Sequence, residues 1–243
     1  MTKENKVLII PDSHIPYEDK KAFNLMLKAG KEFDPDTIVI LGDFIDNYSI
    51  SKYSKDLKRD RFLKWEVSEA NKALNKIDIL FPKANKIFMA GNHEERLDKY
   101  IKDKAPELFG LVSTSELLKL PQRKYKYYEY GKHHRIGKLY FTHGDIIREN
   151  VTQAMLDKYE KSIVFGHTHR MEQTVKVNVL GEGHLGITSG WLGSVKKADY
   201  IKTFSNWQMG FSTAIVLPNG NFFIQMHPII AYQCWLNNKI YKS

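Results

Sequence analysis

This sequence predicts an α/β fold that opens as a mostly parallel sheet with crossover helices and closes as an all-β tail. Three observations predict it. Short apolar runs alternate with segments of helical spacing in the N-terminal part, each apolar run stops abruptly at a polar loop, and beyond Gln173 only strand-like runs and turns remain.

Taken in order, Val7–Pro11 is a short apolar run closed by the polar loop 12–16. Lys20–Phe33 has helical spacing, with Phe23 and Leu27 on one side beside Ala22 and Met26. Thr37–Leu41 is a β-branched run ending at a Gly-Asp turn, and Phe62–Leu80 reads as a long amphipathic helix. Lys86–Ala90 is a third strand, and a helix follows near Glu94–Ile101. Lys138–Phe141 and Ser162–Phe165 are two more short strands, each closed by a loop with histidines. In the tail, Thr174–Leu180 and Leu185–Thr188 precede a hairpin, Phe211–Leu217 with Asn221–His227, turned by Pro218-Asn219-Gly220. Residues 102–138 are the least regular and read as a basic insertion over the site; no repeat or linker interrupts 1–243, so one domain is expected.

With 42% hydrophobic residues in 243, there is enough apolar material for a sizeable core. The formal charge of +9 suits phosphate-rich partners such as nucleic acid, nucleotides or an anionic membrane, and equally a plain solubility charge. Cys234 is the only cysteine, which excludes an intramolecular disulfide and a thiolate zinc cluster. Met1–Lys6 is polar, unlike a signal peptide, and no run approaches the roughly 20 apolar residues of a membrane span. A cytoplasmic location is the expectation; composition does not fix the oligomeric state.

The chemistry gathers in five clusters at the C-terminal ends of five expected strands: Asp12-Ser13-His14, Gly42-Asp43-Phe44-Ile45-Asp46, Gly91-Asn92-His93-Glu94, Thr142-His143-Gly144-Asp145 and Gly166-His167-Thr168-His169. Ligands of open α/β sheets collect at those ends. In an extended segment Asp12 and His14 would face the same side, as would His167 and His169. Carboxylate, imidazole and amide oxygen together suit Mn²⁺, Fe or Zn²⁺ better than Ca²⁺. The glycines before Asp43, Asn92 and His167 let the chain turn sharply and keep the approach open.

In this order the five motifs, DxH, GDxxD, GNHE, His-Gly and GHTH, resemble the calcineurin-like metallophosphoesterases from Asp12 to His169. The resemblance implies a β-sandwich flanked by helices and a two-metal hydrolase of phosphoesters. It assigns Asp12, His14, Asp43 and His169 to one divalent ion and Asp43, Asn92, His143 and His167 to the other, with Asp43 bridging. Such ions lie about 3.5–4 Å apart and share a water or hydroxide that attacks phosphorus. Mn²⁺ is the first choice, with Fe, Zn²⁺ or Ni²⁺ as alternatives. His93 matches the family's general acid, and Asp46 is expected to orient it by a carboxylate–imidazole bond. Glu94 and Glu95 are expected to favour the first turn of a helix through its dipole.

The chain departs from several branches. Asn47 stands where protein Ser/Thr phosphatases carry Arg, Asp46 where purple acid phosphatases need Tyr, and His93 where the UDP-diacylglucosamine pyrophosphatases carry Arg. The nuclease, phosphodiesterase and small-phosphatase branch is the nearest. For substrate, two basic stretches stand out, Lys52–Lys64 and Lys119–Lys138, the second interleaved with Tyr125, Tyr127, Tyr128 and Tyr130. Arg96, Arg123, Lys124 and Lys126 are the candidate contacts to DNA, RNA or nucleotide phosphates. The same Lys-x-Tyr alternation is also what a half-exposed strand gives. A small metabolite or a lipid-linked pyrophosphate is the alternative substrate, the latter suggested by apolar Leu108–Leu120, and a non-catalytic binding module the remaining one.

Overall fold

The computed structural model describes residues 3–52, 62–197 and 205–243. The central part of the basic stretch Lys52–Lys64 lies outside the described residues. The chain runs β1 (Asn5–Ile10), α1 (Lys20–Phe33), β2 (Thr37–Ile40), α2 (Leu63–Leu80), β3 (Asn85–Met89), α3 (Asn92–Lys104), α4 (Thr114–Leu117), β4 (Tyr125–Tyr128), β5 (His134–Ile136), β6 (Leu139–Phe141), α5 (Val151–Tyr159), β7 (Ile163–Phe165), β8 (Met171–Val177), β9 (Gly183–Ser189), β10 (Gly210–Val216), β11 (Phe222–Pro228), β12 (Gln233–Leu236) and β13 (Lys239–Lys242).

Two sheets face each other. The first has the order β11-β10-β1-β2-β3-β4, and the second β5-β6-β7-β9-β8. Strands β1 to β4 are parallel, as are β6, β7 and β9. Strict alternation builds the layers. Val7, Ile9, Val39, Leu41, Ile87 and Met89 meet Leu139, Phe141, Val164 and Ile187 between the sheets. Leu8, Ile10, Ile38, Ile40 and Phe88 point the other way, onto Phe23, Met26, Leu74 and Ile77 of α1 and α2. Both faces of the first sheet are therefore buried, which is why its strands read as continuous apolar runs. Helix α5 covers the second sheet through Val151 and Met155. The result is the helix-flanked β-sandwich that the resemblance implies.

Two local readings change. Residues 102–138 are not only an insertion: they supply β4, the edge of one sheet, and β5, the edge of the other. The stretch around Lys124–Tyr130 is thus the half-exposed strand its alternation allowed. Segment 12–14 is not extended throughout, because His14 takes φ 49°. The hairpin turn at Gly220 adopts φ 83°, as a glycine there permits.

Candidate metal centre

Every parallel strand that carries a motif ends at the same end of the sandwich, so loops after β1, β2, β3, β6 and β7 converge. Three groups of candidate donors form there, one of them His14, Asp46 and His93, and the other two share a carboxylate. Asp12, His14, Asp43 and His169 make one, and Asp43, His143 and His167 the other, with Asp43 common to both.

In the first set, Nε2 of His14 lies 2.9 Å from Nε2 of His169, which is 3.2 Å from Oδ2 of Asp12. His14 uses Nδ1 to bond Oδ2 of Asp46 at 3.0 Å, so its Nε2 is left as a lone pair. In the second set, His143 donates Nδ1–H to Leu41 O at 2.8 Å, which aims Nε2 at Asn92 Oδ1 (3.0 Å), Asp43 Oδ1 (3.4 Å) and Nδ1 of His167 (3.3 Å). Each set thus aims buried lone pairs at one another, an arrangement that a divalent cation satisfies and a neutral core does not. The donors are nitrogen and oxygen only, and the sole thiol, Cys234, is buried in the helix-side core. The residues fit divalent cations.

Without a cation, protons do its work. Burial opposes a charge on His143, yet the carboxylates of Asp43 and Asp12 lift its pKa to about 10. Burial also opposes ionised Asp43, but His143 and His93 hold its carboxyl well below the usual range. His167, half-buried and beside His143, falls to about 4 through desolvation and then the His143 charge.

The backbone is shaped for this convergence. His14, Asp43, His167 and His169 all adopt left-handed φ, between 45° and 71°, a strained region for side-chain-bearing residues. A Cβ at Gly91 would overlap the Asp43 carboxylate, and one at Gly166 would overlap that of Asp12. Those two glycines are required by close approach, whereas Gly42 is required by its φ of 96°.

Two buried glutamates hold the Asp43 loop. Glu94 accepts N–H bonds from Asp43 (2.8 Å) and Gly91 (2.7 Å) on one oxygen, and from Phe44 (2.9 Å) and Ile45 (3.1 Å) on the other. Burial and then the Asp43 carboxylate push its pKa up to about 7, while the four donors favour the ionised form. Glu66 of α2 accepts from Tyr48 and Ser49, both at 2.8 Å, further along the same loop. Glu94 does stand in the first turn of α3, as a helix-dipole role requires. Its clamp on a second loop is the part sequence reasoning missed.

His93 and Asp46 come together, but not by the bond expected. Nδ1 of His93 donates to the main-chain carbonyl of Asp46 at 2.8 Å, and the Asp46 carboxylate stands 3.6 Å from that nitrogen. The side chain of Asp46 instead bonds His14. Burial lowers the His93 pKa, but Asp43 and then Asp46 outweigh it and raise it overall. Nε2 of His93 lies 3.7 Å from Asp43 Oδ2 and 2.7 Å from Arg96. Asn47 bonds the His93 carbonyl at 2.8 Å.

Of the expected substrate contacts, Arg96 is in the site, bonded to Asp46 O at 2.8 Å and to His93. Arg123 is tied to Asp78 of α2 at 2.5 Å and to Asn71. Arg123 and Lys124 precede β4, which runs parallel to β3, so both sit at the end of the sheet opposite the metal donors. Lys126 is exposed, partway along the edge. The structure adds Trp191, whose ring stacks on His169 at 4.9 Å and 13°, with Trp207 edge-on at 4.4 Å. The sequence signal was the pair of glycines, Gly190 and Gly193, flanking a tryptophan: a Cβ at Gly193 would overlap the indole.

The family model of calcineurin-like phosphoesterases matches residues 5–171, more than half of the chain, and the protein belongs to that family. It is accordingly a hydrolase of phosphoric esters with buried Asp/His sets suited to divalent metal ions. Among curated proteins it is similar to the Gene 54 protein of Mycobacterium phage L5, 26% identical over 233 residues, 87% of this chain and 89% of that one. The Gene 54 protein of Mycobacterium phage D29 is 25% identical with the same coverage. Among solved structures, vacuolar protein sorting 29 from Cryptosporidium parvum has 15% identity and a TM-score of 0.47, covering 98% of this chain and 95% of that one. The phosphoesterase YfcE from E. coli has 13% identity and a TM-score of 0.42, covering 89% and 93%. No helix among the described residues is long and apolar enough to cross a membrane.

Proposed function

We propose that this chain hydrolyses nucleotide or nucleic-acid phosphoesters at a two-metal centre, loaded with Mn²⁺, in which Asp43 belongs to both ion sites. The observation that carries the reading is the sharing of Asp43 between two donor sets, with His93 beside it. Asp12, His14, Asp43 and His169 would hold one ion, and Asp43, Asn92, His143 and His167 the other. Bound divalent ions supply an activated water and hold phosphate oxygens.

The chain's own residues do the rest. Asp46 fixes the tautomer of His14, and Leu41 O fixes that of His143, so each presents Nε2 to its ion. His93 keeps Nδ1–H on the Asp46 carbonyl, and its Nε2, which accepts from Arg96 in this structure, would carry the proton for the leaving oxygen once Arg96 turns to a phosphate. Arg96 beside that nitrogen offers a guanidinium to a phosphate oxygen, and the N-terminus of α3 adds its positive end.

A lipid-linked pyrophosphate is the weaker reading. Leu108, Phe109 and Leu111 are exposed, but they follow the C-terminal end of α3, whereas His93 and Glu94 of the site open its N-terminal turn. The test is a screen of Mn²⁺-loaded protein against p-nitrophenyl phosphate, bis-p-nitrophenyl phosphate, a nucleotide panel, and single- and double-stranded DNA and RNA. Metal-dependent turnover of nucleotides or polynucleotides is expected. Turnover confined to non-nucleotide phosphates would refute the substrate class.

A further inference from the structure

Where β4 ends one sheet and β5 the other, the sandwich has an open edge that starts at the metal donors. The ring of Tyr130 lies 6.0 Å from that of His143, and Thr142 Oγ1 bonds Lys132 O at 3.0 Å. Strand alternation puts Lys126 and Tyr128 on one face, while Tyr125 and Tyr127 turn to the helix-side core. Glu129 alternates with Tyr127, away from this face. Tyr128 Oη bonds Nδ1 of His134 at 2.7 Å, joining the two sheet edges. Arg135 and Tyr140 pair across β5 and β6 and alternate away from Ile136, Leu139 and Phe141, so they lie round the β5 edge on the α5 side, the guanidinium 5.9 Å from the ring.

The charges on this edge are uncompensated. Lys126, Lys132 and Arg135 are exposed and have no carboxylate within 4.0 Å among the described residues. Neighbouring cations differ: Arg123 is paired with Asp78, Lys99 with Glu95 and Lys158 with Asp145. Unpaired cations interleaved with tyrosine rings match a single-stranded polynucleotide, which offers phosphates to the cations and open base faces to the rings. A duplex keeps its base faces stacked, and an acidic polypeptide has no use for the rings.

We propose that this edge is the track for single-stranded nucleic acid, with phosphates on Lys126 and Lys132 and bases against Tyr128 and Tyr130, the strand passing round β5 to Arg135 and Tyr140 on the α5 side and leading one phosphodiester to the Asp43 centre. The proposal rests on the phosphoesterase reading and names its substrate.

Binding is measured without turnover, on the full chain in chelator, by fluorescence anisotropy with a labelled thymidine oligomer, a uridine oligomer and a duplex at several salt concentrations. Reversal of Lys126, Lys132 and Arg135 to Glu should weaken binding to both single strands by about tenfold or more. It should also flatten the log–log salt slope by about 2, at about 0.7 for each lost contact. The control K28E/K31E/K239E makes the same charge change around α1 and β13, at the opposite edge, and should leave the slope in place. Melting by circular dichroism checks that both variants fold. Equal losses in the control, no loss in the edge variant, no binding by the unaltered chain, or preference for the duplex each overturn the track. Turnover of the nucleotide and polynucleotide panel is read separately: if metal-dependent turnover is confined to non-nucleotide phosphates while edge-dependent binding stands, the proposed substrate class falls and the binding surface does not.

Discussion

Asp46 and His14 are bonded side chain to side chain, Oδ2 to Nδ1, at 3.0 Å with both residues buried. The bond leaves Nε2 of His14 as a lone pair facing His169 and Asp12, while Asp46 reaches His93 through its main-chain carbonyl. One residue thus steadies a candidate ligand with its side chain and the candidate acid with its backbone.

Replacement of Asp46 by Ala should therefore act first on the metal. Loss of such a supporting carboxylate typically weakens metal affinity about 10–100-fold. Calorimetric Mn²⁺ titration should show that loss, and turnover at saturating metal should be largely restored, because the carbonyl that holds His93 remains. Unchanged affinity with slow turnover at saturation would instead put the carboxylate on His93.

His93→Ala should keep its metal content and slow turnover by about 10²–10⁴-fold. The loss should be smaller for p-nitrophenyl phosphate, whose leaving group needs little protonation, than for a nucleoside ester. An equal loss on both substrates would mean that His93 serves binding rather than proton transfer.

Glu94→Gln tests the loop clamp. An amide must turn its nitrogen toward two N–H donors that now share one carboxylate oxygen, leaving buried donors unsatisfied at about 1–3 kcal/mol. For a chain of this size each kcal/mol lowers the melting temperature by about 2–4 °C. Melting in chelator should show the drop, and Mn²⁺ titration should show weaker binding because Asp43 is no longer held. Full metal affinity in the variant would reduce Glu94 to a helix-capping residue.

The parts of this molecule that strand alternation and loop chemistry control were legible in the sequence. Helix α1 falls where the periodicity put it, and β1, β2, β3, β10 and β11 within a residue or two. The donors stood out because each follows an apolar run at a Gly or Asp loop. Helix α5 was not read: it is nine residues long, and Asn150 caps it without a side-chain bond. Hairpin β12-β13 was not read, although Asn237-Asn238, at φ 48° and 57°, makes its two-residue turn between short strands. Glu94's four donors, the Arg123–Asp78 tie and the Trp191 stack are contacts between distant segments, which local spacing does not encode.

Metal binding should release protons. Asp43 and Asp12 hold His143 protonated up to about pH 10, well above the ordinary histidine value, so an ion that takes its Nε2 must displace that proton. The raised value stabilises the metal-free fold fully below about pH 6.5, and that contribution is lost as pH rises toward 10. Mn²⁺ affinity should accordingly rise with pH, by about tenfold per unit for each proton displaced. His167, at about 4, releases none near pH 7. Calorimetry in buffers of different protonation enthalpy should count about one proton released; a count of zero would mean that His143 does not bind the ion.

The shared donor Asp43 is the centre of the account, and the metal stoichiometry and electron paramagnetic resonance spectrum of the Mn²⁺-loaded protein test it most directly. Two ions per chain with an exchange-coupled signal, collapsing to weak uncoupled binding in Asp43→Ala, is the predicted result. A single uncoupled ion in the unaltered chain, or a coupled pair that survives Asp43→Ala, would contradict it.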